Sequence, residues 1–278
     1  MFFLPTSRNN GIAYLLWRWL LPNNGKFQAH IDYWYSGTRQ GMNDYDALAS
    51  GYTNTNIKPD KLYSILPTVI NLAGECMGKV IADIGCGSGF FTTPFANLGA
   101  RGVYGIDSSA GQIKLAESLS PYPNVRYYMR DVFVDDLPDV DMFIVPFVLN
   151  YARSISTLVH FLSQLYRHVS VGGKVIFVVD LPNGKSLKRF GAAKTLLGGA
   201  KDETIIRIDL FNGEKQICTL NAAYYTPHTI ERLLKTIGFK NISWHKPIVS
   251  EEGINAMEPG FWEDYTDDPE LGYLTAEK

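Results

Sequence analysis

The chain of 278 residues carries 26 Lys and Arg against 28 Asp and Glu, a formal charge of −2 at pH 7. That length buries one sizeable core, or a core with a smaller cap, and the near-neutral balance provides no broad footprint for nucleic acid or a strongly anionic substrate. Cys76, Cys86 and Cys218 are widely spaced, with no CxxC pair and no histidine cluster nearby, so neither a disulfide framework nor a metal site is expected and the cytosol is the default compartment.

Taken in order, the first forty residues hold a strongly apolar stretch at 12–21, interrupted by Arg18 and stopped by Pro22, far too short for a membrane span. Met1-Phe2-Phe3-Leu4-Pro5 has neither the basic start nor the small-residue cleavage site of a signal peptide. The stretch reads as a short helix packed on the main domain; a lid over a substrate, a dimer contact and a membrane-surface foot are the alternatives. After a linker containing Gly and Asn, Tyr45, Leu48, Ala49 and Tyr52 recur at helical spacing, which places both tyrosines on one face. Residues 60–77 follow as a helix with Leu62, Ile65, Leu66, Val69, Ile70 and Leu72 along its apolar side.

From Lys79 onward, strands and helices alternate. Strands are predicted at 81–84, 103–106, 125–129, 141–147 and 174–180, with helices at 90–98, 110–119 and 155–169, the second of them capped from Asp107-Ser108-Ser109. This alternation implies a parallel sheet covered on both faces, because right-handed crossovers place the helices there. Residues 203–210 and 215–225 are then β-rich around Asn212-Gly213, the signal of a tight hairpin, which is expected to close the otherwise parallel sheet. A helix at 227–237 stops at Gly238, a strand covers 242–248, and 258–278, with Trp262 and Tyr265, reads as a tail draped over the surface.

The stretch from Val80 through Asp83-Ile84-Gly85-Cys86-Gly87-Ser88-Gly89 to Thr92 joins a buried strand to a helix start by way of three alternating glycines. Gly85, Gly87 and Gly89 allow positive φ and remove Cβ atoms that would hold a ligand off the backbone. Cys86 fills a place where a small residue is required and a nucleophile is not. The dinucleotide fingerprint puts its third glycine where Phe90 stands, and a P-loop requires a Lys-Ser/Thr pair that is missing, so NAD and ATP are disfavoured.

In an open parallel sheet the ligand lies over the carboxyl ends of the strands, where Asp83, the glycine turn, Asp107 and Asp131 all fall. Asp107 can accept hydrogen bonds from both hydroxyls of a ribose, and Asp131 from an adenine amino group while the Val132 amide faces a ring nitrogen. Each aspartate alone could equally be a helix cap or a turn residue. The series together with the turn is what points to a nucleoside.

These residues resemble the class I S-adenosylmethionine-dependent methyltransferases. The match runs through Asp83-Ile84-Gly85-Cys86-Gly87-Ser88-Gly89, Gly105-Ile106-Asp107-Ser108-Ser109, Arg130-Asp131-Val132 and Val171-Gly172-Gly173-Lys174, and covers roughly residues 42–250. More narrowly, Val148-Leu149-Asn150-Tyr151-Ala152 and Pro259-Gly260-Phe261-Trp262-Glu263 look like small-molecule methyltransferases of the toxoflavin-pathway type. The resemblance implies an α/β, Rossmann-like, doubly wound sheet of seven mostly parallel strands with an antiparallel C-terminal hairpin, under an N-terminal helical cover. It divides the chain into a helical extension at 1–41, a cofactor-binding domain at 42–250 and a tail at 251–278 packed on it.

The resemblance also implies that the glycine turn and Cys86 pass under the methionine part, that Asp83 holds its amino group, that Asp107 and Ser108 take the ribose and that Asp131 and Val132 take the adenine. Tyr45 and Tyr52 match aromatic positions that close over the cofactor, and Phe147 the residue near the sulfonium. For the methyl acceptor, Tyr52, Asn150 and Tyr151 are the candidate catalytic groups, and Trp17, Tyr151, Asp180, Tyr224 and Trp262 the candidate acceptor contacts. Asn150 and Tyr151 read equally well as a helix cap and a packed ring. His160, His168 and His228 read as surface or core residues, and His245 can face either way.

Val145-Pro146-Phe147-Val148 lacks the polar residue and second proline of DNA amino-methylases, and no basic aromatic platform for single strands is present. The expected acceptor is therefore a small aromatic or apolar metabolite, with its nucleophilic atom (N, O or C) left open. A non-catalytic cofactor- or partner-binding protein, a protein or RNA methyltransferase, and a homodimer formed through the apolar N-terminus remain as further readings.

Overall fold

The computed structural model describes residues 58–120, 122–185 and 188–278. The chain enters through a π-helical turn, Lys61–Ile65, that continues into α1, Leu66–Ala73. β1 (Val80–Ile84), α2 (Thr92–Asn97), β2 (Gly102–Asp107), α3 (Ala110–Leu119), β3 (Val125–Met129) and β4 (Val140–Pro146) follow. After a single turn at Leu149–Tyr151 come α4 (Ile155–His168) and β5 (Val169–Asp180). Ser109 and Ser154 cap α3 and α4 with their hydroxyls, each accepting a backbone N–H at 3.2 Å.

β1 to β5 are mutually parallel. Their order, β3-β2-β1-β4-β5, reverses between β1 and β4, the switch point at which such sheets bind ligands. Side chains alternate across each strand and so build two cores. Ala82, Phe143, Val175 and Phe177 face α4 and α5 (Pro227–Ile237), whereas Ile81, Met142, Ile144 and Ile176 face α1 and α2. β1, β4 and the second half of β5 are buried on both sides and read as continuous apolar runs, which is why they were legible.

Two expectations for the C-terminal hundred residues are corrected. The hairpin around Asn212-Gly213 forms, as β7 (Ile205–Asn212) and β8 (Lys215–Ala223), but it does not close the main sheet. It joins β6 (Ala192–Leu196) in a separate three-stranded sheet. The main sheet is completed instead by β9 (Lys240–His245) and β10 (Leu271–Glu277), and β10 lies antiparallel between β5 and β9. The expected surface tail therefore supplies an interior strand.

Burial explains the exchange. In β7 only Ile206, Ile208 and Leu210 are buried, a one-sided pattern suited to an outlying sheet, while Leu271 to Ala276 are buried without a break, as a central strand demands. Two short helices, α6 (Glu251–Ala256) and α7 (Glu263–Asp267), lead into β10. The expected N-terminal cover, and with it Trp17, Tyr45 and Tyr52, lies outside the described residues.

Candidate functional site

The glycine turn stands at the carboxyl end of β1, beside the switch point. Gly85, Gly87 and Gly89 have φ of 68°, 54° and 88°, a region in which side chains are strained. The missing Cβ atoms do not all serve a ligand, however. A Cβ on Gly85 would run into Cγ2 of Val148, in the loop after β4, and one on Gly89 would lie 2.5 Å from the Tyr127 hydroxyl oxygen. Gly105 on β2 gives way to the same Tyr127 ring. At Gly87 a Cβ would meet only ordinary contact, Gln112 Oε1 at 3.7 Å. The turn is thus shaped as much by Val148 and Tyr127 pressing on it from within the protein as by any ligand, and neither residue was singled out from sequence.

Asp83 is fully buried beneath the turn. Its Oδ2 accepts the Thr92 hydroxyl at 2.6 Å, while Oδ1 has no hydrogen-bond partner among the described residues. Burial, with a smaller contribution from the nearby Asp107 charge, pushes its carboxyl up to about 7 against the Thr92 hydrogen bond. Asp107, at the end of β2, accepts the Gly87 amide on Oδ2 and the Ser109 amide on Oδ1, both at 2.9 Å, and so ties the turn to the start of α3. The Cys86 thiol is buried and raised by that burial, and its amide donates to Ile106 O at 3.0 Å, which suits a structural part of the turn. Ser108 is exposed beside it.

Asp131 is exposed after β3, with Oδ1 accepting the Phe133 amide at 3.0 Å, and Val132 is buried next to it. Phe147, following β4, takes φ of 64°, a strained value for a bulky residue of the kind that clusters at functional sites. Its amide is anchored to Val178 O at 2.8 Å, and Lys61 Nζ stands 5.9 Å from its ring centre. The carboxyl ends of β1, β2, β3 and β4 thus gather the candidate cofactor residues along one edge of the sheet.

A methyltransferase-domain family model matches residues 82–177. Over 163 residues the chain is 28% identical to ubiquinone biosynthesis O-methyltransferase of Alkalilimnicola ehrlichii, a match that spans 54% of this chain and 64% of that protein. Over 148 residues it is 30% identical to tRNA U34 carboxymethyltransferase of Marinobacter nauticus, spanning 49% and 42%. The chain therefore spans less than two thirds of the length of these relatives. An S-adenosylmethionine-dependent methyltransferase from Mesorhizobium loti shares the fold, with a TM-score of 0.58 at 18% identity over 81% of this chain and all of the other. The chain thus carries a methyltransferase domain at residues 82–177 on the fold of S-adenosylmethionine-dependent methyltransferases. The unpartnered Asp83 Oδ1, an acceptor waiting under a glycine turn, fits a cofactor that carries an ammonium group.

On the acceptor side of the site, one expectation is corrected. Asn150 is completely buried and spends its amide on backbone: Nδ2 donates to Ala223 O at 2.9 Å and Asp180 O at 3.3 Å, and Oδ1 accepts the Asp180 amide at 2.9 Å. It locks the end of β5 to the end of β8, with both of its N–H donors spent on backbone carbonyls and its oxygen held by a backbone amide. Tyr151 packs against the core of the second sheet, to which Tyr224 belongs. Trp262 sits in an aromatic cluster with Phe190 and Tyr265, its indole N–H donating to Gly253 O at 3.0 Å.

Of the expected acceptor contacts, Asp180 stands in a charged group. It is 2% exposed and pairs with Lys194 of β6 at 2.6 Å. Asp60 and Lys61, at the entrance to α1, belong to the same electrostatic neighbourhood. Burial drives Asp60 up to about 6 and Lys61 down to about 8, each opposed by the charge of the other. Glu270, just before β10, completes it, raised to about 6 by burial. No spacing in the sequence links residues 60, 61, 180, 194 and 270; Asp60 and Asp180 fall at ends of predicted elements, but Lys194 and Glu270 carry no such signal.

Proposed function

We propose that this chain transfers a methyl group from S-adenosylmethionine to a small-molecule acceptor bound over the carboxyl ends of β4 and β5. When bound, S-adenosylmethionine supplies a methyl on a sulfonium, an activated carbon with a neutral leaving group. Asp83 Oδ1 would take the ammonium, Asp107 the ribose hydroxyls and Asp131 with Val132 the adenine. The glycine turn would bring backbone amides against the methionine part, with the strained Phe147 beside the reacting centre. The protein's work is then to bind, orient and exclude water, so that the acceptor's nucleophilic atom lies in line with the methyl–sulfur bond.

The observation that carries the small-molecule reading is the desolvated charge cluster beside Phe147. Asp60, Asp180 and Glu270 outnumber Lys61 and Lys194 there, so the cluster provides no net positive charge for an RNA backbone. With Asn150 committed to the backbone, Tyr52 and Tyr151 are the surviving candidates from the sequence for a polar role toward the acceptor. Incubating the full chain with methyl-labelled S-adenosylmethionine and a metabolite extract, total RNA or total protein tests the reading. Label in the small-molecule fraction is expected. Label confined to RNA or protein would overturn it, and cofactor binding without any label would make the chain a non-catalytic binder.

A further inference from the structure

Two cations in the cluster already have their carboxylates. Lys194 holds Asp180 at 2.6 Å with both side chains almost wholly buried, and Lys61 carries the charge of its neighbour Asp60, whose Oδ1 accepts the Lys61 amide at 2.8 Å. Asp180 Oδ1 lacks a hydrogen bond but has the Lys194 ammonium at 2.6 Å, whereas Glu270 forms no ion pair among the described residues. It is 4% exposed, and its Oε1 has no hydrogen-bond partner among the described residues.

A buried, unpartnered carboxyl oxygen is costly and requires an explanation. Lys194 and a backbone hydrogen bond from Asn183 favour the ionised form of Glu270, and Asp180 and Asp268 oppose it. Asp268 is itself exposed and bridged to Lys185 at 3.0 Å. Among the described residues of the cluster, three carboxylates, Asp60, Asp180 and Glu270, thus face two ammonium groups, Lys61 and Lys194.

The placement adds direction. Asp180 ends β5, and Leu271, next to Glu270, pairs with it across the β5–β10 ladder, while the Glu270 carbonyl accepts the Leu181 amide at 2.9 Å. Glu270 thus stands at the carboxyl edge of the main sheet, two strands from β4, or roughly 10 Å at ordinary strand spacing. That is too far for contact with the transferred methyl at the end of β4, and suits the remote end of an acceptor of about one ring in length.

We propose that Glu270, with Asp180 and Lys194, forms an anchoring subsite for a cationic, hydrogen-bond-donating group on the acceptor, an amine, amidine or guanidine. This rests on the small-molecule reading above and replaces the expected apolar metabolite with one that carries a positive charge away from the methylated atom.

The test is calorimetry on the full chain saturated with S-adenosylhomocysteine, using benzylamine and benzoate as probes. Benzylamine is expected to bind and benzoate not to. Glu270→Gln, which keeps the shape and removes the charge, should weaken benzylamine at least tenfold while leaving S-adenosylhomocysteine affinity within twofold. Lys194→Met, which removes the competing cation, should tighten benzylamine severalfold, a change that a purely structural role for the cluster would not produce. Benzoate binding as well as benzylamine, neither probe binding to the cofactor-loaded chain, or unchanged benzylamine affinity in both variants would overturn the subsite. Failure of the native chain to bind S-adenosylhomocysteine would instead overturn the methyltransferase reading, and the subsite with it.

Discussion

Asp83 combines full burial, one satisfied oxygen and one unpartnered oxygen, and this gives it a pH signature. Its folded-state carboxyl, near 7, lies above the ordinary value of 3.8, so the folded chain keeps a proton that the unfolded chain releases. Stability should therefore fall as pH rises from about 4 to about 7, and the penalty is complete above that. Asp83→Asn should be relatively more stable at pH 8 than at pH 5, by a few kcal/mol at most, as read from denaturant melts of the cofactor-free protein. A gap that does not widen with pH would remove Asp83 as the titrating group. Asn150 behaves differently. Asn150→Ala strands the Asp180 amide and the Ala223 carbonyl, at a cost of about 3 kcal/mol. The melting temperature should drop clearly, while S-adenosylhomocysteine affinity, measured below the melt, stays unchanged. Weakened cofactor binding without a loss of stability would contradict the structural role.

Among elements, the glycine turn was legible because its signal is local: strand, positive-φ glycines and helix start lie within a dozen residues. The reason for each glycine was not, since Val148 and Tyr127 reach the turn from the loop after β4 and from β3. Gly89→Ala meets both a left-handed backbone and the Tyr127 hydroxyl, and should weaken S-adenosylhomocysteine at least tenfold. Adding Tyr127→Phe removes the hydroxyl oxygen and should restore part of that loss. Strictly additive effects of the two substitutions would show that Tyr127 does not press on the turn. The parallel strands were legible for the same local reason as the turn. β10 was not, because Leu271-Gly272-Tyr273-Leu274-Thr275-Ala276 is a short mixed run whose two-sided burial comes only from β5 and β9 closing on it. The hairpin at Asn212-Gly213 was found at once and placed wrongly, since a turn signal fixes which strands pair but not which sheet receives them.

At the scale of the molecule, the donor and acceptor halves of the site differ in how the chain encodes them. Asp83, Asp107 and Asp131 sit at successive strand ends, and topology lines them up in chain order. The acceptor-side cluster draws on the entrance to α1, the end of β5, the second sheet and the residue before β10, and exists only once those parts are assembled. Among the described residues no helix is long and apolar enough to cross a membrane. The central claim is that the glycine turn and its aspartates hold S-adenosylmethionine, and calorimetry with S-adenosylhomocysteine on the native chain and on Asp107→Ala measures it directly. Saturable binding to the native chain, weakened at least tenfold in a variant that still melts cooperatively, is the expected result. No heat with the native chain, or equal affinity for the two proteins, would contradict it.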